Sequence, residues 1–137
     1  MHAQQMISTH PHVQGNTNDV LIHCLEACFD CEQACIACAD ACLGEEMVHE
    51  LTQCIRLNLD CADACHAGGS LASRRTGSNE QTLRTMLEAC ALACHTCGDE
   101  CERHAQQHEH CAICAEACKT CEKLCLDAAR TMTASRQ

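Results

Sequence analysis

Residues 24–42 read CLEACFDCEQACIACADAC, with a cysteine at every third or fourth position. An α-helix has about 3.6 residues per turn, so steps of 3 and 4 keep these side chains in one stripe along one helix face. The spacing therefore predicts a helix that carries a line of thiols on one side.

The same spacing returns three more times along the 137-residue chain, which holds 18 cysteines. The four groups are Cys24, Cys28, Cys31, Cys35, Cys38 and Cys42; Cys54, Cys61 and Cys65; Cys90, Cys94, Cys97 and Cys101; and Cys111, Cys114, Cys118, Cys121 and Cys125. A period near 3.5 favours left-handed packing of helices in a bundle. Four stripes predict four helices.

Residues between the groups indicate where the helices begin and end. Asn18 suits a helix start, Gly44 suits a helix end, and residues 76–79 (TGSN) are turn formers. The step of 10 from Cys101 to Cys111 breaks the repeat and marks the last connection. We expect helices at 18–43, 45–74, 79–105 and 109–132.

Short connections force neighbouring helices to run antiparallel, so the sequence predicts an all-α, up-down-up-down four-helix bundle with the thiol stripes inside. The bundle is expected over residues 18–133. Residues 1–17 form an N-terminal extension, either disordered or a short helix, and residues 134–137 form a C-terminal tail. Because Phe29 is the sole aromatic residue, cysteine has to fill much of the interior.

Charge and hydropathy exclude several classes of protein. Nine Lys plus Arg against 19 Asp plus Glu give a net charge of −10, which argues against nucleic acid and anionic membranes as partners. No stretch approaches the roughly 18 consecutive apolar residues of a membrane span. Residues 1–20 contain no basic leader followed by an apolar run, so we expect a cytoplasmic protein.

Cytoplasmic thiols are kept reduced, so metal binding is a stronger interpretation of these cysteines than disulfides. Eight C-x-x-x-C pairs place two sulfurs side by side on one helix, and only Cys54 and Cys111 fall outside them. Soft thiolates select Cu(I), Zn²⁺ or iron–sulfur clusters, and the iron–sulfur spacings are missing. Zn²⁺ prefers closed sites of four ligands. Cu(I) accepts fewer ligands, and one thiolate can bridge two Cu(I) ions.

One Cu⁺ per thiolate also leaves no net charge in a core of low dielectric constant. Complete filling corresponds to on the order of 18 Cu(I) per chain. The alternative is a zinc or mixed-metal buffer of the metallothionein type. A redox enzyme would need an exposed thiol of low pKa beside a resolving partner, and no cysteine is distinguished in that way. We therefore expect no catalytic residues.

The eight C-x-x-x-C pairs and the H-x5-H-C run at residues 104–111 resemble the cytosolic branch of the bacterial copper storage proteins, over about residues 18–130. Members of that family are four-helix bundles that assemble as tetramers and hold many Cu(I) ions on thiolates inside the bundle. The resemblance implies a non-enzymatic copper store and a homotetramer. It also implies that copper enters at an end of the bundle where histidines supply ligands.

Three histidines are candidates for that end. His104 and His108 continue the stripe of the third helix after Cys101, and His110 directly precedes Cys111. An antiparallel bundle brings the end of the third helix and the start of the fourth to the same place, where imidazoles can pass copper to the first thiolates. The alternative is a solvated polar turn.

Asn58 lies within the cysteine stripe of the second helix, so its amide is expected to face the thiols. A buried amide needs partners. It either ligates copper through its oxygen or donates and accepts hydrogen bonds, and both interpretations stay open.

A second stripe runs beside the cysteines of the first helix at intervals of seven residues. Its members are Ile22, Phe29, Ile36 and Leu43. They either seal the bundle or form an interface between subunits, and the hypothesis is a homo-oligomer.

Overall fold

The computed structural model describes residues 1–135, and helices are the only regular structure in that part of the chain. The elements are α1 (Ala3–Ser8), α2 (Asp19–Leu43), a 3₁₀ helix (Val48–Leu51), α3 (Thr52–Ser73), α4 (Glu80–Arg103) and α5 (Glu109–Ser135). The predicted all-α class is confirmed.

The four long helices form a closed ring, in which α2 packs against α3 and α5, and α4 packs against the same two helices. Contacts between α2 and α5 give their relative direction. Cys24 near the start of α2 lies 3.6 Å from Cys125 near the end of α5, measured between Sγ atoms. Cys38 near the end of α2 lies 3.9 Å from Cys111 near the start of α5. These two helices therefore run antiparallel.

The same reversal relates α3 and α4. Cys54, at the start of α3, lies 3.8 Å from Cys101 at the end of α4, and Cys65 lies 3.7 Å from Cys90 nearer the start of α4. Helices that are adjacent in the sequence thus pack side by side in opposite directions, as short connections require.

Local capping explains the limits of α2. The side chain of Asn18 accepts a hydrogen bond from the backbone N–H of Leu21 at 3.3 Å, which satisfies one free donor of the first turn. Gly44 ends the helix, and its N–H donates to the carbonyl groups of Asp40 and Ala41. Both predicted ends of this helix are confirmed.

The predicted start of the second long helix at residue 45 is wrong. Residues 44–47 form a turn, Val48–Leu51 form the 3₁₀ helix, and α3 begins at Thr52. A single residue cannot reverse the chain between two antiparallel helices, which typically needs about 2 to 5 loop residues. Leu51 is fully buried at this end of the bundle, so the longer connection also supplies an apolar closure.

The two ends of the chain extend the bundle. In the N-terminal segment, Ile7 of α1 and Val13 are buried in a small apolar cluster with Ile22 of α2. At the other end, α5 continues to Ser135, two residues into the segment predicted as a C-terminal tail, and residues 136–137 of that tail lie outside the described residues.

Within residues 1–135, no helix is both long enough and apolar enough to cross a membrane.

Two adjacent glycines of α3 face neighbouring helices. A Cβ atom on Gly69 would lie 2.8 Å from Cζ of Phe29, so only glycine leaves room for this ring. A Cβ atom on Gly68 would make ordinary contacts of 3.5 to 3.6 Å with Cys28 and Cys90. The single aromatic ring is therefore accommodated by an absent side chain on the facing helix.

Candidate metal centre

The side chains of all eighteen cysteines point into the bundle, where each is no more than 1% exposed. All of them lie within the described residues and are free thiols. Steps of 3 and 4 on each helix produce this arrangement, because they keep every sulfur on the face that packs against the other helices.

Sulfurs of different helices are close neighbours, with Sγ–Sγ distances of 3.6 Å for Cys28 and Cys125 and 3.7 Å for Cys61 and Cys94. Several sets of four sulfurs lie within 4.8 Å of one another. Five such sets are Cys28, Cys90, Cys121 and Cys125; Cys31, Cys65, Cys94 and Cys121; Cys31, Cys35, Cys61 and Cys118; Cys35, Cys97, Cys114 and Cys118; and Cys38, Cys42, Cys54 and Cys111. We call these the four-sulfur groups.

Four of the cysteines belong to two groups each. They are Cys31, Cys35, Cys118 and Cys121. Because neighbouring groups share these sulfurs, the first four groups form a continuous row along the bundle. A thiolate in such a position can bridge two soft metal ions.

The fifth group joins the two cysteines that stand outside the C-x-x-x-C pairs. Cys54 of α3 and Cys111 of α5 meet there with Cys38 and Cys42 of α2. Neither has a cysteine four residues away on its own helix, and the fold brings sulfurs of another helix next to each.

Asn58 is the one polar side chain other than cysteine that is fully buried in the described core. Its Oδ1 accepts hydrogen bonds from the thiols of Cys97 at 3.1 Å, Cys114 at 3.3 Å and Cys101 at 3.4 Å. Its Nδ2 donates to Sγ of Cys54 at 3.8 Å. The amide oxygen is thus aimed at three sulfurs from two helices, which is the position an oxygen ligand would take.

The thiols differ in their tendency to ionise. Burial, followed by repulsion from a negative charge on Cys38, raises the pKa of Cys42 to about 12. Hydrogen bonds, above all from Cys101 and also from Cys54 and His110, lower the pKa of Cys38 to about 6. The group near the α2–α3 connection therefore combines a thiol that ionises readily with one that resists ionisation.

His110 contacts this group directly. Its Nδ1 lies 3.4 Å from Sγ of Cys38 and 3.6 Å from Sγ of Cys111, and its Nε2 donates to the carboxylate of Glu45 at 2.9 Å. Burial lowers the pKa of His110, but the hydrogen bonds to Cys38 and Glu45 outweigh it and raise the pKa above its ordinary value. The imidazole therefore connects a partly exposed carboxylate to the buried sulfurs.

The other two candidate histidines contact carboxylates. Nδ1 of His108 lies 3.0 Å from Oε2 of Glu45, the same oxygen that His110 contacts, and the two imidazole rings are stacked. Nε2 of His104 lies 2.9 Å from Oε2 of Glu100, a carboxylate that is 7% exposed. We call the end of the bundle that contains these three histidines the histidine end.

The sequence model of the copper storage protein family matches residues 17–130, which is most of the chain. The chain belongs to the copper storage protein family. The chain is similar to the solved structure of the copper storage protein Ccsp from Streptomyces lividans loaded with 10 copper equivalents. The two are 46% identical over 93% of this chain and 98% of that one, with a TM-score of 0.89.

Two further relatives support this assignment. The Cu(I)-bound copper storage protein BsCsp3 is 39% identical over 77% of this chain and 94% of that one, with a TM-score of 0.66. The uncharacterized cysteine-rich protein YhjQ of Bacillus subtilis is 41% identical over 102 residues, which are 74% of this chain and 89% of that protein.

Sequence reasoning missed the two carboxylates that contact the three candidate histidines of this family member. Glu100 stands four residues before His104 on α4, and this spacing could have indicated the contact. Glu45 had no such signal, because it lies in the α2–α3 connection and reaches His108 and His110 through the fold alone.

Proposed function

We propose that the chain stores Cu(I) ions on the thiolates inside its bundle and catalyses no reaction. The observation that carries this proposal is the row of four-sulfur groups linked by shared cysteines. Bridging thiolates suit Cu(I), which is soft and accepts few ligands. The relatives of known structure include one loaded with 10 copper equivalents and one described as Cu(I)-bound.

Electrostatics favours a monovalent ion in this core. Each thiol that releases its proton to water and binds Cu⁺ in its place forms a neutral thiolate–Cu(I) unit, so the buried row can fill without counter-ions. Zinc in closed four-sulfur sites would leave excess negative charge wherever four thiolates surround one Zn²⁺. The zinc or mixed-metal buffer is therefore the less favoured function, and we expect the metal-free chain to remain helical.

We place copper uptake at the histidine end. His110 supports this proposal best, because its Nδ1 faces two sulfurs while the imidazole is about a quarter exposed. His104 and His108 lie at the same end and extend the path toward solvent. Asn58 is proposed as an oxygen ligand for copper held by the thiols around it.

We further propose that the protein works in the cytoplasm as a homo-oligomer, a tetramer by family resemblance. A similar structure from Streptomyces lividans is described as a cytosolic copper storage protein. Of the second stripe on α2, Ile22 is covered by the N-terminal segment, but Ile36 and Leu43 are 50% and 62% exposed. Association would remove these side chains from water. A sedimentation mass equal to one chain would contradict the oligomer.

Anaerobic titration of the reduced protein with Cu(I), in competition with a Cu(I) chelator, tests storage directly. We expect saturation on the order of 18 ions per chain, set by the number of soft ligands. Saturation at only a few ions would refute bulk storage. Circular dichroism of the reduced, metal-free protein provides the second readout, since a zinc-dependent buffer would lose helix when empty.

A further inference from the structure

At the histidine end, three ligands of a different chemical type converge on one point outside the sulfur row. Oε2 of Glu45 lies 3.0 Å from Nδ1 of His108 and 2.9 Å from Nε2 of His110. The carboxylate comes from the α2–α3 connection, and both imidazoles come from the start of α5 and the residue before it. We propose that Glu45, His108 and His110 form a site for a divalent cation of the Zn²⁺ type, separate from the Cu(I) store.

The donor set selects this class of ion. Two imidazole nitrogens and one carboxylate oxygen are the borderline ligands that suit Zn²⁺, whereas Cu(I) prefers the sulfurs deeper in the bundle. Zn²⁺ bound by three protein groups keeps a fourth position for water. Water can reach this point, because the three side chains are 18% to 33% exposed.

Two of the three distances between the ligand atoms are close to those of a zinc site. Bonds of about 2.0 to 2.1 Å to a tetrahedral Zn²⁺ place neighbouring ligand atoms about 3.3 Å apart. The two oxygen–nitrogen distances here are 2.9 and 3.0 Å, so each would lengthen by a few tenths of an ångström. Binding of the ion would replace the two hydrogen bonds to Glu45, and the proton of each coordinating nitrogen would move to the other ring nitrogen or be released to water.

The site can coexist with copper because His110 has two ring nitrogens. Nε2 faces Glu45, while Nδ1 faces the sulfurs of Cys38 and Cys111. A divalent ion on Nε2 therefore leaves Nδ1 directed at the thiols. It would also tie the α2–α3 connection to α5 across the histidine end, which would slow the passage of Cu(I). This last consequence rests on the proposed uptake of copper at that end.

The test uses the full chain after anaerobic loading with Cu(I) to saturation, so that the thiolates are occupied. Zn²⁺ is then titrated against a competing chelator, and Co²⁺ is used in a parallel sample as a spectroscopic probe. We expect one Zn²⁺ per chain and a Co²⁺ spectrum without thiolate-to-metal charge transfer. Glu45→Gln should weaken Zn²⁺ binding by at least about tenfold, and His108→Ala should do the same. Glu46→Gln, which changes the exposed neighbouring carboxylate, should leave it unchanged.

Equal Zn²⁺ binding by wild type and Glu45→Gln would overturn the proposal, as would charge-transfer bands that show sulfur ligation. The copper capacity is read in the loading step before Zn²⁺ is added. A small capacity together with the expected Zn²⁺ and Co²⁺ results would overturn storage alone, whereas full capacity without a Zn²⁺ site would overturn this proposal alone. A separate experiment measures the exchange of isotopically labelled Cu(I) into the copper-loaded protein, in which the thiolates are occupied. Zn²⁺ should slow this exchange in the wild type and not in Glu45→Gln. Equal slowing in both would overturn the closing role of the site.

Discussion

The thiol of Cys97 donates to Oδ1 of Asn58 at 3.1 Å, and this contact places an amide oxygen inside a core made of sulfur. Two further thiols donate to the same oxygen, so Asn58 orders sulfurs from α4 and α5 before any metal is bound. We expect these thiols to lose their hydrogens when metal binds, which would leave Oδ1 without its donors.

Replacing Asn58 with Leu keeps the number and branching of the side-chain heavy atoms and removes the oxygen. We expect the unfolding free energy of the reduced, metal-free protein to change by no more than about 1 kcal/mol, because thiols are weak donors and a buried amide is lost together with its hydrogen bonds. Cu(I) held near Cys97 and Cys114 should bind about tenfold more weakly. Competition with a Cu(I) chelator measures this change, and an unchanged affinity would show that the oxygen has no part in binding.

Removal of the imidazole that touches the sulfurs should affect rate more than capacity. We expect His110→Ala to slow initial Cu(I) uptake by about tenfold, since one relay ligand at the surface is lost, while the final capacity stays close to that of wild type. Stopped-flow absorption of the copper–thiolate bands measures the rate. His66→Ala is the matched control, because His66 contacts Glu32 on the outside of the bundle. Equal slowing in both variants would contradict uptake at the histidine end.

Glu45 should be responsible for part of the elevated pKa of His110. A carboxylate that accepts from Nε2 favours the charged imidazole, so the pKa of His110 lies above 6.5 in the wild type and should fall in Glu45→Gln. The pair therefore stabilises the fold below the raised pKa of His110, and this contribution is lost as pH rises through it. NMR titration of the reduced, metal-free protein measures the shift. Glu46→Gln should not change it.

Copper loading should release protons, but fewer than one per ion at neutral pH. Thiols such as Cys42, whose pKa burial raises to about 12, each lose a proton when Cu(I) binds. Hydrogen bonds lower the pKa of Cys38 to about 6 and, chiefly the one with Cys125, lower that of Cys24 to about 5, so we expect these two to have little proton left to release at pH 7. Affinity should therefore fall as pH falls. Proton release in weakly buffered, anaerobic solution gives the ratio, and a full proton for every copper would contradict the lowered values.

The paired glycines of α3 allow a matched test of packing. Gly69→Ala places a methyl group against the ring of Phe29, and we expect a loss of about 1 to 3 kcal/mol in unfolding free energy. Gly68→Ala meets only ordinary contacts in the metal-free protein and should gain about 0.5 to 1 kcal/mol, because alanine suits a helix better than glycine. Denaturant unfolding of the reduced protein measures both. Equal stability of the two variants would contradict the close approach at Gly69.

The fold class could be predicted from the sequence because one residue type reports the helix face at every turn. Cysteine marks the inward side of α2 to α5, so the number of helices and their buried faces follow from spacing alone. Helix ends depend on weaker signals, and the start of α3 at Thr52 was missed because Glu45 and Glu46 resemble a helix start. The need for a longer reversal between antiparallel helices becomes apparent only when both helices are placed.

The candidate site likewise has one part that the sequence predicts and one part that it does not. The thiols and Asn58 were predicted from their positions in the stripes, because a residue's place in a stripe depends only on its spacing within one helix. Contacts between elements carry no such pattern. The meeting of Cys54 with Cys111, and of Glu45 with His110, depends on residues tens of positions apart that only the closed bundle brings together.

The sulfurs that belong to two groups also bear on how ions move once inside. An ion held in one group already lies next to a ligand of the following group, so it can migrate by exchanging one bond at a time while its other bonds remain. Such steps need no opening of the helices and never expose a bare ion to an apolar wall. Along the row of the first four groups, Cu(I) would therefore move from group to group without leaving sulfur ligation.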